Sequence, residues 1–267
     1  MNEIIISILL GIIEGFTEFL PISSTGHLII ANNFLGFTGE FAKTFDIIIQ
    51  LGAIFAVIIY FRKRLFPFGK YKSQENKKES QNIWKKTIIG VIPAIFIGAS
   101  IGKYIKDLLF NPITVAIALL LGGFILIIIE NKKRKIKISS LELLSYKSAF
   151  IIGLIQCLAF IPGVSRSAAT IIGAMLLGSS RLVAAEFSFY LAIPTMIAAS
   201  VYTLLDKLIF TNKEMLLLII GFTVSFLVAW IVIAEFMNYI SNKDFKVFGY
   251  YRIILGIVVL IYFKMLV

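Results

Sequence analysis

The sequence predicts an all-α, polytopic membrane protein: six transmembrane helices plus two re-entrant helical hairpins, arranged as an inverted-topology repeat. Three observations predict it. The 267 residues are 59% hydrophobic and only 15% charged, where a soluble domain carries about a quarter charged residues. Six apolar segments reach bilayer length, and two further apolar regions are broken by proline.

The six spans fall near 44–61, 85–102, 112–129, 187–205, 215–236 and 247–266. Residues 4–35 break at Pro21, and residues 148–178 break at Pro162-Gly163. Each half is too short to cross, since about 20 residues are needed. Both therefore read as hairpins that enter and leave on one side, with irregular backbone kept away from lipid.

The two broken regions resemble each other. GIIEGFTEFLPISSTG (11–26) aligns with GLIQCLAFIPGVSRSA (153–168), matching Gly11 to Gly153, Glu14 to Gln156 and Pro21 to Pro162 with one residue of slip. Downstream, TFDIIIQLGA (44–53) aligns with EFSFYLAIPT (186–195). The chain thus divides into repeat 1 (1–130) and repeat 2 (145–267), each a hairpin plus three spans. An odd number of spans per repeat inverts the second copy, the plan that puts a site at the midplane between repeats.

The formal charge of +11 does not indicate nucleic acid, because of where it sits. Arg62, Lys63, Arg64, Lys70, Lys72, Lys77, Lys78, Lys85 and Lys86 form one cluster, and residues 132–137 form another. Both are short loops between apolar segments, which the positive-inside rule places in the cytoplasm, where anionic headgroups are a secondary contact. The lighter loops, 103–111 and 206–214, and both termini then lie outside. MNEIIISILLGIIEGF has neither the basic start nor the cleavage site of a signal peptide. The single cysteine, Cys157, excludes a disulfide framework and reads as a buried small side chain, and no Cys/His metal spacing is present.

Residues 14–27, EGFTEFLPISSTGH, hold the polar groups that need explaining. Glu14 and Glu18 are four apart and share a helix face; in an apolar hairpin one is protonated or a cation sits between them, and oxygen ligands suit Mg²⁺ or Ca²⁺. Pro21 ends the first helix, and Ser23, Ser24 or Thr25 caps the next, where free N–H groups suit a phosphate. Ser24 and His27 are three apart; His27 is a base for Ser24 or itself a nucleophile. In PGVSRSAAT (162–170), Ser165 or Ser167 starts the second helix, Arg166 is a phosphate-gripping guanidinium, and Ser165, Ser167 and Thr170 add donors. Left isolated at depth, Glu14, Glu18 and Arg166 would cost roughly 10 kcal/mol. The two broken loops therefore meet in one polar pocket, suited to an anion with a hydrocarbon tail in the bilayer. Asp46, Gln50 and Glu186 read as supporting or interface residues, Glu130 and Glu235 as headgroup-level, and Tyr60 and Trp84 as interfacial anchors.

EGFTEFLPISSTGH and PGVSRSAAT resemble the two signature motifs of the undecaprenyl-diphosphatase family of the bacitracin-resistance type. The resemblance extends through FAKTFDIIIQLGAIFAV and EFSFYLAIP to nearly the whole chain. It implies a hydrolase of the bacterial plasma (inner) membrane that converts undecaprenyl diphosphate to undecaprenyl phosphate and inorganic phosphate, renewing the lipid carrier for peptidoglycan and conferring bacitracin resistance. It implies a divalent cation and an active site facing outside. By motif position Glu14 and Glu18 are the acidic pair, Ser24 and His27 the serine–histidine pair and Arg166 the phosphate-binding arginine, with Ser165, Ser167 and Thr170 as ligand contacts. The partners implied are a polyprenyl diphosphate and the bilayer; a homo-oligomer stays open, as do the nucleophile (Ser24, His27 or water) and the choice of Mg²⁺ or Ca²⁺. The alternative is a lipid-carrier transporter or flippase using the same inverted-repeat site. Phosphate release in detergent, where no gradient exists, separates the two.

Overall fold

The computed structural model describes residues 2–66, 73–109, 111–204 and 209–265. Lys70, Lys72, residues 205–208 and the end of the last expected span lie outside them. The described residues form helices and connections, with one isolated bridge between Ile138 and Ser179. In order these are α1 (Glu3–Thr17), α2 (Ser24–Leu35), α3 (Glu40–Tyr60), α4 (Arg62–Leu65), α5 (Gln74–Ile97), a π-turn at Gly98–Gly102 and α6 (Lys103–Leu109). Next come α7 (Pro112–Asn131), α8 (Tyr146–Gln156), a 3₁₀ turn at Cys157–Phe160 and α9 (Arg166–Leu176). The last three are α10 (Arg181–Leu204), α11 (Asn212–Asn242) and α12 (Lys246–Met265).

Six of these helices are long and apolar enough to cross a membrane, and they coincide with the six expected spans. Their outer faces carry exposed Ile92, Phe96, Leu121, Phe124, Ile128, Ile219, Ile231, Ile254 and Ile261, an apolar girdle that only lipid solvates favourably. The chain is a multi-pass membrane protein.

The basic segment 62–86 differs from the expected loop. It folds as α4 and the first turns of α5, because Ser73 caps the helix by accepting from Asn76 N (3.2 Å) and strong helix formers follow. Lys86 is buried there, donating to the carbonyls of Leu141 (2.8 Å) and Glu142 (3.1 Å). Arg64 pairs with Glu79 (2.7 Å) and with Glu186, which also accepts from Tyr190 (2.7 Å). Glu130, at the end of α7, is buried, gripped bidentately by Arg181 and accepting from Phe245 N (3.0 Å). These contacts gather the C-termini of α3 and α7 and the N-termini of α5, α8, α10 and α12 at one charged end of the bundle. Cys157 is half-buried rather than buried, since it opens the 3₁₀ turn.

The two hairpins start from opposite ends. Tyr146, at the start of α8, donates to Asn82 (2.8 Å), and Met175, at the end of α9, accepts from Arg134 (2.9 Å), so both limbs rest on the charged end. Glu3, at the start of α1, pairs with Lys213 (2.7 Å), and Asn33 near the end of α2 accepts from Tyr262 (3.4 Å), at the other end. α1 packs along α11, and α8 along α5. Glycine makes both contacts possible: a Cβ on Gly11 would lie 2.8 Å from the Gly221 carbonyl, and one on Gly153 only 1.9 Å from the Gly90 carbonyl. Gly153→Val is expected to destabilise the protein by about 1–3 kcal/mol, read as a lower midpoint of thermal unfolding in detergent; an unchanged midpoint contradicts this packing.

Candidate active site

Helix α1 ends at Thr17, before Pro21, with Glu18 as its C-cap still in helical conformation. Glu14 and Glu18 therefore keep the shared face expected of them, and the Glu18 N–H bonds the Glu14 carbonyl (3.0 Å). The break covers residues 18–23, wider than the proline alone. It closes at Ser23, whose backbone is left-handed (φ 72°) and whose hydroxyl accepts from Gly26 N (3.3 Å) to cap α2. The second break ends the same way. Gly163 has φ 93°, and Ser165 (φ 69°) caps α9 by accepting from Ala168 N (3.2 Å). Ser23 and Ser165 are the only non-glycine residues with positive φ among the described residues. Such a conformation costs of order 1–3 kcal/mol at each site, and both serines stand at the N-cap of the helix that follows a break.

The breaks touch. Ser167 Oγ donates to the Leu20 carbonyl (2.9 Å), and the Arg166 guanidinium donates to Glu18 Oε1 (3.0 Å). Glu18 also accepts the hydroxyl of Ser24 through its other oxygen. Arg166 is fixed from behind by the Ser188 carbonyl on α10 (2.9 Å), and Thr170 Oγ1 holds the Ser188 hydroxyl (2.7 Å). Phe19 lies under the guanidinium at 5.8 Å. Glu14, Glu18, Ser23, Ser24, Ser167 and Thr170 are all buried. Thr25 is half-buried in the first turn of α2, and Ser165 is linked to Ser167 at 3.0 Å.

Several buried polar atoms here lack a hydrogen-bond partner among the described residues. Both carboxylate oxygens of Glu14 are buried without a partner, and so is Arg166 Nε. A bare buried carboxylate costs several kcal/mol, so a ligand or proton must complete it. On α3, Asp46 accepts from Asn32 Nδ2 (2.8 Å) and leaves its other oxygen, like Asn32 Oδ1, without a partner; Asp46 is near enough for its charge to act on Glu14. Of the supporting residues expected, Asp46 sits beside the acidic pair, whereas Glu186 belongs to the charged end of the bundle.

Ser24 and His27 are not hydrogen-bonded to each other. Ser24 donates to Glu18, while His27 Nδ1 meets the Ser23 carbonyl (2.8 Å) and Nε2 meets the Tyr251 hydroxyl (2.7 Å). A carbonyl only accepts, so Nδ1 carries the proton, and in the neutral ring Nε2 accepts from Tyr251. Two residues of α12 thus join the site unforeseen: Tyr251, and Arg252, which is buried and donates to the Pro21 (3.2 Å) and Gly163 (3.1 Å) carbonyls. In the sequence Tyr251 looks like another interfacial aromatic. Arg252 had a visible signal, a lone arginine five residues into an apolar span.

Residues 7–258 match the family described as Bacitracin resistance protein BacA. A protein of Clostridioides difficile (strain 630) named Undecaprenyl-diphosphatase 1 is 51% identical over 267 residues, covering 99% of this chain and 97% of the relative. Undecaprenyl-diphosphatases of Enterococcus faecalis and Sphingopyxis alaskensis are 48% and 46% identical, each over 96% or more of both chains.

The chain belongs to the bacitracin resistance protein BacA family. In this BacA protein the ion pair between the hairpins is the contact that makes a single site of two breaks. A double-mutant cycle tests it: Glu18→Gln and Arg166→Gln should each cost about 3–5 kcal/mol of stability, and the double variant should fall short of their sum by about 2 kcal/mol or more. Simple additivity would mean that the pair is not coupled.

Proposed function

We infer that this protein hydrolyses undecaprenyl diphosphate to undecaprenyl phosphate and inorganic phosphate, returning the lipid carrier to cell-wall synthesis and conferring bacitracin resistance. The observation that carries this reading is the constellation of buried Glu14, Glu18 and Ser24 with the mostly buried Arg166, in a membrane protein whose relatives over nearly their full length are named for that reaction. Serine, carboxylate and guanidinium are what a phosphoryl transfer needs; the apolar girdle gives the prenyl tail a solvent.

The mechanism proposed for these residues follows from their contacts. Arg166 Nε, unpartnered and buried, is the donor left to receive a phosphate oxygen. The free N–H groups at the starts of α2 and α9 add a positive field where charge builds up. Glu18 accepts the hydroxyl hydrogen of Ser24 and is placed to take that proton as Ser24 Oγ bonds the terminal phosphorus. The anhydride P–O bond breaks and the prenyl monophosphate leaves with the electron pair. Glu18 passes that proton to the departing phosphate oxygen; water then attacks the phosphoserine phosphorus and gives its proton to Glu18, which returns it to Ser24 Oγ as the P–Oγ bond breaks and inorganic phosphate leaves. His27 stays outside the first step for as long as Tyr251 occupies Nε2.

The residues fit a divalent cation. The unpartnered oxygens of Glu14, with those of Asp46 and Asn32 nearby, are hard donors of the kind Mg²⁺ or Ca²⁺ takes. Three acidic, histidine or cysteine side chains do not converge at ligand distance among the described residues, so Glu14 would hold the ion together with water and diphosphate oxygens, as Mg²⁺ sites commonly do. An ion held there would neutralise part of the charge of the diphosphate.

The two halves, 1–130 and 145–267, read as an inverted repeat whose hairpins are re-entrant. The paired left-handed serines and the reciprocal packing of α1 on α11 and α8 on α5 support this. With the basic end in the cytoplasm of a bacterial cell, α1–α2 enters the plasma membrane from outside and the active site faces that side.

Purified protein should release phosphate from undecaprenyl diphosphate in detergent and lose that activity with chelator. Glu14→Gln and Arg166→Ala should lower kcat/KM by about 10³-fold or more while staying folded, and Ser24→Ala should abolish the phosphoserine trapped by rapid acid quench. Near-normal release by either of the first two variants contradicts the site; a full single-turnover yield without phosphoserine contradicts Ser24 as nucleophile.

A further inference from the structure

Arg252 is fully buried in the first half of α12, yet none of its hydrogen bonds is with a carboxylate. Its guanidinium donates only to backbone carbonyls: Leu119 (3.4 Å) and Ala118 (3.1 Å) on α7, Pro21 (3.2 Å) in the first break, and Gly163 and Val164 (both 3.1 Å) in the second. The space for it is made by Gly122 of α7, where a Cβ would lie 2.2 Å from the Arg252 terminal nitrogen. An aliphatic residue would fill an apolar span at far less cost, and a buried cation is commonly offset by an anion. Here the offsetting groups are carbonyl dipoles of the two breaks that carry Ser24 and Arg166.

We propose that Arg252 is a positioning residue of the phosphatase reaction: its planar fork sets the separation of the two hairpin loops, and its charge is balanced by the diphosphate when that ligand is bound. This rests on the reaction inferred above. The acceptors flank the site on both sides, so a shift of the guanidinium moves Ser24 relative to Arg166. A displacement of about 1 Å in such a geometry costs on the order of 10²-fold in rate. Lysine keeps the charge but presents one ammonium with three donors, and cannot span carbonyls from three elements. Glutamine loses the charge as well.

The test compares Arg252→Lys, Arg252→Gln and Gly122→Ala with wild type, by detergent thermal unfolding and by kcat and KM for phosphate release from undecaprenyl diphosphate, per folded molecule. Arg252→Lys and Gly122→Ala, which keep the cation but displace it, should lose about tenfold to hundredfold in kcat with KM changed by no more than about threefold. Arg252→Gln should show the same loss in kcat and, in addition, a KM raised by about tenfold or more. A residue that only holds the fold together would lower the unfolding midpoint and leave both constants of the folded fraction unchanged, which overturns the proposal. Failure of both Arg252→Lys and Gly122→Ala to fold also overturns it, since the residue is then a folding element. An inactive wild-type protein refutes the phosphatase reading instead.

Discussion

The ion pair between Glu18 and Arg166 is the constraint on which the rest of the structure depends. Its partners lie 148 residues apart, on helical segments that start from opposite ends of the bundle. Taking either charge out of water alone would cost more than its helix could return through packing. Each is therefore stable only while the other is present, and the two hairpins must stop at the same level. Ser167 on the Leu20 carbonyl and Arg252 on carbonyls of both breaks repeat the link in neutral and charged form.

From that link the chemistry follows in short steps. Glu18 divides its two oxygens between Arg166 and Ser24, so one carboxylate orients both a guanidinium and a hydroxyl. Glu14, one turn earlier, is left with nothing to bind among the described residues. In the proposed reaction the paired acid orients Ser24 and Arg166, and the unpartnered one is the proposed cation ligand. The left-handed serines stand at both helix starts, so backbone strain is held next to the two breaks.

Much of this is legible in the sequence, because burial in lipid leaves few interpretations for a charge. The spans follow from hydropathy alone, and the meeting of the two breaks follows from the cost of leaving their charges apart; that Glu18 rather than Glu14 takes the ion pair does not. What sequence spacing misleads about is Ser24 and His27: a three-residue interval places them on one face, but the hydroxyl turns back to Glu18 and the imidazole out to Tyr251. Tyr251 is hidden because its partner is a distant histidine; Arg252 is visible as a lone arginine in an apolar span, but its partners are backbone carbonyls, which leave no mark in a sequence. The basic stretch 73–86 reads as loop because its charges mask good helix propensity and a serine cap.

The central claim is that two breaks from opposite ends of the bundle close on one diphosphate. The most direct test is an experimental structure of the protein with a non-hydrolysable bisphosphonate carrying a prenyl tail and Mg²⁺ present. A phosphonate oxygen on Arg166 Nε, with the terminal phosphorus facing Ser24 Oγ and the ion on Glu14, is the predicted result. A ligand bound away from the Glu18–Arg166 pair, with Glu14 packed against protein and no ion beside it, would contradict the account.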